Sequence, residues 1–365
     1  MSRSKAYHRA KLALFAIDLA ASLVFLLLFY FSGFSRVLSA QASAVSDWIE
    51  IQALFYSAVF FTAYTVALLP VHFSSSFSLE HAYELSNQTL GAWILDEIKK
   101  FAISILFFSS LGAAFYGLVN RFPDTWWIFA GAGWFVMTVV LTKILPTLLI
   151  PIFYKMRPLE DGELRSRLLS LAKKCGVPVM GIYVLGLSLK TKKGNAALVG
   201  MGRSRRVVLG DTILDRYTPQ EIETVLAHEL GHHKLKHIPS SIALNGTIVF
   251  VGFYLLHILS DAVVASLSAS SLADLSIYPV LFLLSLLAGL LILPAQNAFS
   301  RLHENEADRF ALDITRSLDS FKSLMRKLAA QNLADPEPHP AVEFMLYDHP
   351  AIGTRIRSAE RHLSA

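Results

Sequence analysis

Disulfide chemistry is closed to this chain, because Cys175 is the one cysteine in 365 residues and no intramolecular bridge can form. It sits in Leu171-Ala172-Lys173-Lys174-Cys175-Gly176, the pattern of a helix C-terminus, where a thiol reads as a spectator. Charge is scarce as well: Asp, Glu, Lys and Arg make up 17% of the residues against 54% hydrophobic, with mean hydropathy +0.48. That balance excludes an ordinary soluble protein of this length. No phosphate loop, Ser-His-Asp pattern, internal repeat or nucleic-acid module stands out. The pI near 9.2 therefore needs another explanation than nucleic acid.

The apolar excess lies in runs near 11–33, 50–72, 101–120, 126–153, 241–264 and 277–299. Each is long enough to cross about 30 Å of hydrocarbon as a helix. The fourth is interrupted by Pro146 and Pro151 and is expected to kink or leave the bilayer early. Ser39-Ala40-Gln41-Ala42 imitates a cleavage site, but the preceding run is too long for a signal peptide. Arg3, Lys5, Arg9 and Lys11 favour a cytoplasmic start. Alternation then puts Lys99, Lys100, residues 154–240 and the C-terminal tail on that side, leaving short, weakly charged loops near 34–49, 121–125 and 265–276 opposite. The basic excess thus belongs to the inner leaflet and its anionic headgroups.

One stretch carries chemistry. His228-Glu229-Leu230-Gly231-His232 places two imidazoles at i and i+4 on one helix face, within reach of a single zinc ion, with a glutamate between them as general base. Thr218 as N-cap and Pro219 at the first helical position supply the helix this motif needs. A catalytic zinc takes three protein ligands and keeps one position open. His237, nine residues beyond His228, falls half a turn out of phase on a continuous helix, and His233 and His237 read as solvated residues near a helix end. The better candidates lie in Ser300-Arg301-Leu302-His303-Glu304-Asn305-Glu306-Ala307-Asp308. There Glu304 and Asp308, one turn apart, suit a ligand carboxylate and an acid that fixes a ligand histidine's tautomer. Glu306 faces elsewhere, solvated or ion-paired. The alternative for the whole segment is a charged helix start below a membrane span.

The pairing of His-Glu-Leu-Gly-His with Ser-Arg-x-x-Glu-x-x-Ala-Asp resembles the type I CAAX prenyl endopeptidases, integral-membrane zinc proteases. Further segments are family-like: Asn87-Gln88-Thr89-Leu90-Gly91, Pro158-Leu159-Glu160-Asp161-Gly162-Glu163-Leu164, Asn195-Ala196, Arg206-Val207-Val208-Leu209 and Tyr347-Asp348-His349-Pro350. The chain is shorter at its N-terminus than typical members, and the loop before the zinc helix is compact. The resemblance implies that Glu304 is the third ligand, that Asp308 supports a ligand histidine, and that helices surround an aqueous chamber. Asn245 and Gln296, polar residues inside apolar runs, either line it or bond helix to helix.

The expected fold is an all-α polytopic membrane protein of about six transmembrane helices, with a small α+β zinc-metalloprotease domain at the cytoplasmic face. The expected division is 1–153 (four spans), 154–240 (soluble part with the motif helix), 241–299 (two spans) and 300–365 (third ligand and tail). Within the soluble part, 161–175 reads as a helix and 181–185, 195–199 and 206–209 as strands, with turns around Lys192–Gly194 and Gly202–Ser204. The strand at Asn195 and Ala196 pairs with 205–209 as a hairpin, and its other edge could receive an extended peptide; the resemblance supports that role, and an ordinary edge strand is the alternative. The inferred reaction is peptide hydrolysis. One Zn2+ held by His228, His232 and Glu304 supplies the Lewis acid, and Glu229 takes and returns the proton. His349 is the candidate oxyanion donor, the alternative being a surface turn. Partners are the bilayer and a peptide or protein substrate, lipidated or not, without nucleic acid; in a bacterium the site would face inward from the inner membrane. Competing readings are a broad quality-control protease and a non-proteolytic zinc-binding scaffold or transporter, against which Glu229 argues.

Overall fold

The computed structural model describes residues 2–200 and 205–364. Its first half is helical: α1 (Arg3–Phe31), α2 (Phe34–Val45), α3 (Ile49–Phe73), a π-helical turn leading to α4 (Leu79–Ala82), α5 (Leu90–Arg121), α6 (Trp126–Leu148) and α7 (Ile150–Phe153). Then come β1 (Met156–Pro158), α8 (Glu163–Lys174), β2 (Gly181–Leu185), β3 (Ala196–Val199), β4 (Arg206–Gly210), α9 (Asp211–Leu214) and α10 (Pro219–Lys234). The chain closes with α11 (His237–Leu267), α12 (Tyr278–Thr315), α13 (Leu318–Asn332), α14 (Pro340–Leu346) and α15 (Ile352–Ser364).

Five stretches of the described residues are long and apolar enough to cross a membrane: Arg3–Phe31, Ile49–Ala82, Leu90–Arg121, His237–Leu267 and Leu275–Thr315. The sixth expected span is α6, apolar over Trp126–Thr142. It stops at Leu148, and Pro151 opens the short α7, where a missing N–H costs nothing. Residues 34–49, expected as a loop, instead fold largely into α2, which buries Ser35, Leu38 and Ala42 along one face. Twelve residues cannot span a bilayer, so this helix caps the bundle rather than crossing it.

At that end of the bundle the packing is aromatic and dense. Phe29, Tyr56, Phe60, Tyr116 and Trp126 join Leu26, Leu38, Leu275 and Ile277 in one buried cluster. Phe29 and Phe60 meet edge to face at 5.2 Å, a geometry the ring quadrupoles favour. At the other end the helices part, and a cavity of roughly 440 Å³ opens between α6, α11 and α12, lined by Thr138, Thr142, Asn245, Ser300 and His303.

Beside this opening sits the mixed part. The four strands run in the order β1-β2-β4-β3. β3 and β4 form the expected antiparallel hairpin, with Ala196 opposite Leu209 and Val199 opposite Arg206, while β2 and β4 are parallel. The expected turn at Gly202–Ser204 lies outside the described residues. Leu168, Ile182, Val207, Leu209, Ile222, Leu226, Leu230, Leu312, Phe321 and Leu324 form the core beneath, each worth about 1.5–3 kcal/mol of burial. Cys175 is buried there just before Gly176 with φ +70°, as the helix-end pattern implied.

The start of α10 is fixed by a reciprocal cap. The Thr218 hydroxyl accepts from the Glu221 amide at 3.3 Å, and the Glu221 carboxylate accepts from the Thr218 amide at 2.7 Å. Glu221 is buried and also takes hydrogen bonds from Ser323 and Lys327 on α13. Thr218→Ala should cost about 1 kcal/mol of stability, read as a lower thermal midpoint of the purified protein with activity per folded molecule unchanged.

Candidate active site

The cap positions His228, Glu229 and His232 in the last two turns of α10 before the chain breaks. Close approach to α12 depends on small residues at the crossing. A Cβ on Gly231 would lie 3.1 Å from Phe310 and 3.2 Å from the Cα of Ala307, tighter than side chains tolerate without displacement. That approach brings Glu304 under both histidines.

The three side chains converge. Nε2 of His228 and Nε2 of His232 are 3.1 Å apart, and Glu304 lies 3.4 Å from the first and 3.2 Å from the second. The ligand atoms of this group all fall within 4.8 Å of one another. Glu304 is buried, and its Oε2 accepts no hydrogen bond among the described residues. Buried polar atoms are normally satisfied, so an orphaned carboxylate oxygen beside the His228 imidazole, with the other oxygen beside His232, fits a cation. Nitrogen and oxygen donors of this kind suit a first-row transition metal.

The outer nitrogens are engaged elsewhere, which aims both Nε2 atoms inward. His228 Nδ1 is 2.9 Å from Asp308. His232 Nδ1 is 3.0 Å from Nδ1 of His237, whose Nε2 is 2.9 Å from Glu306. His237 is therefore a buried neighbour of the site rather than a solvated residue. Phase counting missed it because α10 does not continue: Lys236 adopts φ +60°, and α11 restarts at His237 in a new direction. Glu306 is more than half exposed and meets His237 through a hydrogen bond. Burial and His303 hold the His237 pKa below its usual value, so the solvated reading of Glu306 fits better than the ion-paired one.

Arg355 of α15 also went unseen in the sequence. It donates from Nε and Nη2 to the two oxygens of Asp308 at 2.8 and 2.6 Å, and Nη2 is 3.7 Å from Glu304. A signal was present. Arg355 falls on the stripe Ile352, Ile356, Ala359 and Leu363 that α15 turns to the core, and a charge on an apolar stripe asks for a buried partner. Burial works against a charged His228, but Asp308 and Glu304 outweigh it and raise the imidazole pKa to about 9.

His349 reaches the site from the loop after α14. Its Nε2 is 3.3 Å from Glu304 and its Nδ1 2.9 Å from Asp348. The bond to Asp348 lifts its pKa above the usual range, opposed by burial and helped by Glu304, which favours the charged ring, in which both nitrogens are donors. Asn195 and Ala196 stand at the start of the edge strand β3, beside a second cavity of roughly 230 Å³. His228, Glu229, Glu304, His349 and Arg355 border this cavity, and Ile213, Tyr217, Val225, Leu324, Met325 and Leu328 give it an apolar lining. Glu229 borders the larger cavity as well and so stands between the two.

Known proteins resemble this chain along nearly its whole length. Residues 158–363 match the profile of peptidase family M48, and residues 1–155 that of the CAAX prenyl protease N-terminal region, described as five membrane helices. Over 1–155 this chain has the four long helices α1, α3, α5 and α6 with the shorter α2 among them. The uncharacterized metalloprotease YhfN of Bacillus subtilis is 28% identical over 347 residues, covering 92% of this chain and 81% of that protein. CAAX prenyl protease 1 of Saccharomyces cerevisiae is 28% identical over 98% of this chain and 85% of its own length. The CAAX prenyl protease 1 homolog of Arabidopsis thaliana is 30% identical over 80% and 69%. The crystal structure of S. mikatae Ste24p shares the fold at a TM-score of 0.84 and 24% identity, over 98% of this chain and 87% of that one. Membrane helices, two histidines gathered on a buried glutamate and matches along nearly the whole chain lead to one assignment: the protein is an integral, multi-pass membrane metalloendopeptidase and belongs to peptidase family M48.

Proposed function

We propose that the chain hydrolyses a peptide bond near the C-terminus of CAAX-type, prenylated polypeptides, using one zinc ion held by His228, His232 and Glu304. The observation that carries this is the convergence of those three side chains, with Glu229 at the meeting point of two cavities. Ligand bonds of about 2.0–2.2 Å in a tetrahedral site put ligand atoms about 3.3–3.5 Å apart, close to the 3.1, 3.2 and 3.4 Å found here. When bound, zinc polarises the scissile carbonyl and lowers the pKa of water to about 7.

The protein's own residues do the rest. Glu229 accepts the proton from the attacking water and delivers it to the leaving amine. His349 donates from Nε2 to the oxygen that gains charge as the carbonyl is attacked. Asp308, backed by Arg355, holds His228 in the tautomer that leaves Nε2 free. The free edge of β3 at Asn195 and Ala196 receives the peptide as an added strand, binding backbone with little demand on side chains. The apolar 230 Å³ pocket takes one aliphatic side chain next to the scissile bond, as a CAAX terminus supplies.

Membrane placement serves the substrate. A lipid tail partitions at roughly 0.8 kcal/mol per buried CH₂, so a prenylated chain is already at the bilayer. The catalytic face is cytoplasmic on this reading. The basic N-terminus docks on the site side, where Arg3 pairs with Glu84 and His8 meets Tyr347, two residues before His349, in keeping with the positive-inside bias. The match to proteins named CAAX prenyl protease supports the substrate class.

Glu229→Gln is expected to abolish turnover while metal analysis still finds one zinc per chain; His228→Ala and Glu304→Ala are expected to lose the metal. Near-full activity in Glu229→Gln would mean that another group moves the proton. Acidity should act on metal loading. The raised His228 pKa stabilises the metal-free fold fully below about pH 6.5, and that stability is lost as pH rises towards about 9. Zinc must displace this proton, so apparent zinc affinity should climb about tenfold per pH unit across that window, as competition with a chelator would read. Matched peptides, one farnesylated on a C-terminal CaaX cysteine and one bare, test the substrate. Selective release of the tripeptide from the farnesylated one is expected, and equal cleavage of both would replace this reading with a broad membrane quality-control protease.

A further inference from the structure

We infer that Arg301 and Asn297 are positioning residues that hold His349 over the metal-binding cluster. Both lie on α12, and with Glu304 and Asp308 they form one line along the helix at spacings of four, three and four residues. Such positions share a face. Everything on that face engages the site: Asp308 holds His228 and Arg355, and Glu304 meets His228, His232 and His349. The first two members reach into the segment that carries His349.

Around that segment Tyr347 meets His8 edge to face and Ala351 is buried. α14 itself buries none of its residues, Phe344 and Met345 are 56% and 43% exposed, and apolar packing along it is limited to the half-buried Val342 and Leu346. Its last carbonyls lie at a helix end, where acceptors run short of intrahelical donors, although that of Glu343 also takes the Tyr347 amide at 3.2 Å. Arg301 answers them. Its Nη1 donates to the carbonyls of Tyr347 at 2.5 Å, Glu343 at 3.1 Å and Phe344 at 3.4 Å. A cation there also complements the negative end of the helix dipole. Asn297, 6% exposed, donates from its side-chain amide to the Met345 carbonyl at 2.8 Å. On the far side of the loop, Glu343 accepts from the Ala351 amide at 2.9 Å. His349 is thus suspended between a helix end pinned by Arg301 and a return segment tied to that same helix through Ala351. Because Arg301 and Glu304 are one helical turn apart, the distance from His349 to Glu304 is set by α12 itself.

The inference rests on reading His349 as the oxyanion donor, and the test separates the two. In the purified full-length protein, Arg301→Met should speed amide hydrogen exchange across 343–353 by about tenfold, with 219–234 unchanged and zinc content retained. On a farnesylated CaaX peptide its kcat should fall about 10- to 100-fold, the scale of a misplaced catalytic group, with KM within about twofold. Arg301→Lys, which keeps a donor but not the fork, should recover part of the loss, and Asn297→Ala should show a smaller version of both effects. In a His349→Ala background, Arg301→Met should lower kcat no more than about twofold further, as expected of residues acting as a unit. Unchanged exchange in 343–353, exchange raised equally in 219–234, lost zinc, or the same fold-loss in both backgrounds would overturn the positioning role. If His349→Ala alone leaves kcat intact, the donor assignment fails, while the exchange data still decide whether Arg301 anchors the loop. Should Arg301→Met not fold, Arg301→Lys and Asn297→Ala carry the same comparison.

Discussion

Asp308 accepts a two-pronged hydrogen bond from Arg355 and faces Nδ1 of His228, with almost no water around it. Three elements far apart in the chain, α10, α12 and α15, meet at this one carboxylate. Each charge there depends on the others, because removing one partner of a buried pair leaves the remainder unsolvated at a cost of about 3–5 kcal/mol. The cluster is thus a constraint more than a source of stability. It dictates how deep α10 sits against α12, which nitrogen of His228 faces inward, and where the last helix docks. Gly231 and Ala307 make the approach sterically possible, and the charges give it one register.

Much of this was legible residue by residue. The membrane helices announce themselves by length and hydropathy, because a bilayer leaves few alternatives to a long apolar helix. Thr218 and Pro219 marked the start of α10, and the i, i+4 spacing of His228 and His232 put two imidazoles on one face whatever surrounds them. The strands at 181–185 and 206–209 were bounded by glycine and basic turns. Other features lay beyond such reading. Lys236 takes a left-handed conformation that no local pattern demands, and the phase of every later residue, His237 first among them, changes there. Arg355 finds its acid 47 residues upstream, a distance over which spacing says nothing. α2 was hidden because twelve residues of modest polarity satisfy loop and helix descriptions equally until Leu38 and Ala42 are seen buried.

The bundle divides its packing unevenly, and the division has a physical reason. Membrane helices gain no hydrophobic advantage from touching one another, since lipid is as apolar as leucine. They associate where shape and polar contacts reward it. At the capped end, interlocked rings of Phe29, Tyr56, Phe60 and Tyr116 supply that reward. At the other end α11 presents no buried residues over its apolar window; Gln296 hydrogen-bonds Asn245 from helix to helix, and Asn245 borders a space that water can enter. A tight far end and an open near end hold the cavity apart without a dedicated strut.

The left-handed break at Lys236 separates the helix carrying His228 and His232 from the membrane helix that follows it. No such break interrupts α12, which runs from the lipid to Glu304 and beyond through 38 residues, roughly 57 Å at 1.5 Å per residue. Two corners of the cluster therefore sit on a helix confined to the small mixed domain, whereas the third sits on a helix that begins among the apolar spans and ends, past Glu304, in that domain's core through Phe310, Leu312 and Ile314. A change in bilayer thickness tilts a long span, and α12 is the element that would pass such a tilt directly to the contact with α10 on which the triangle is built. The cluster is a joint between the protein's two solvents.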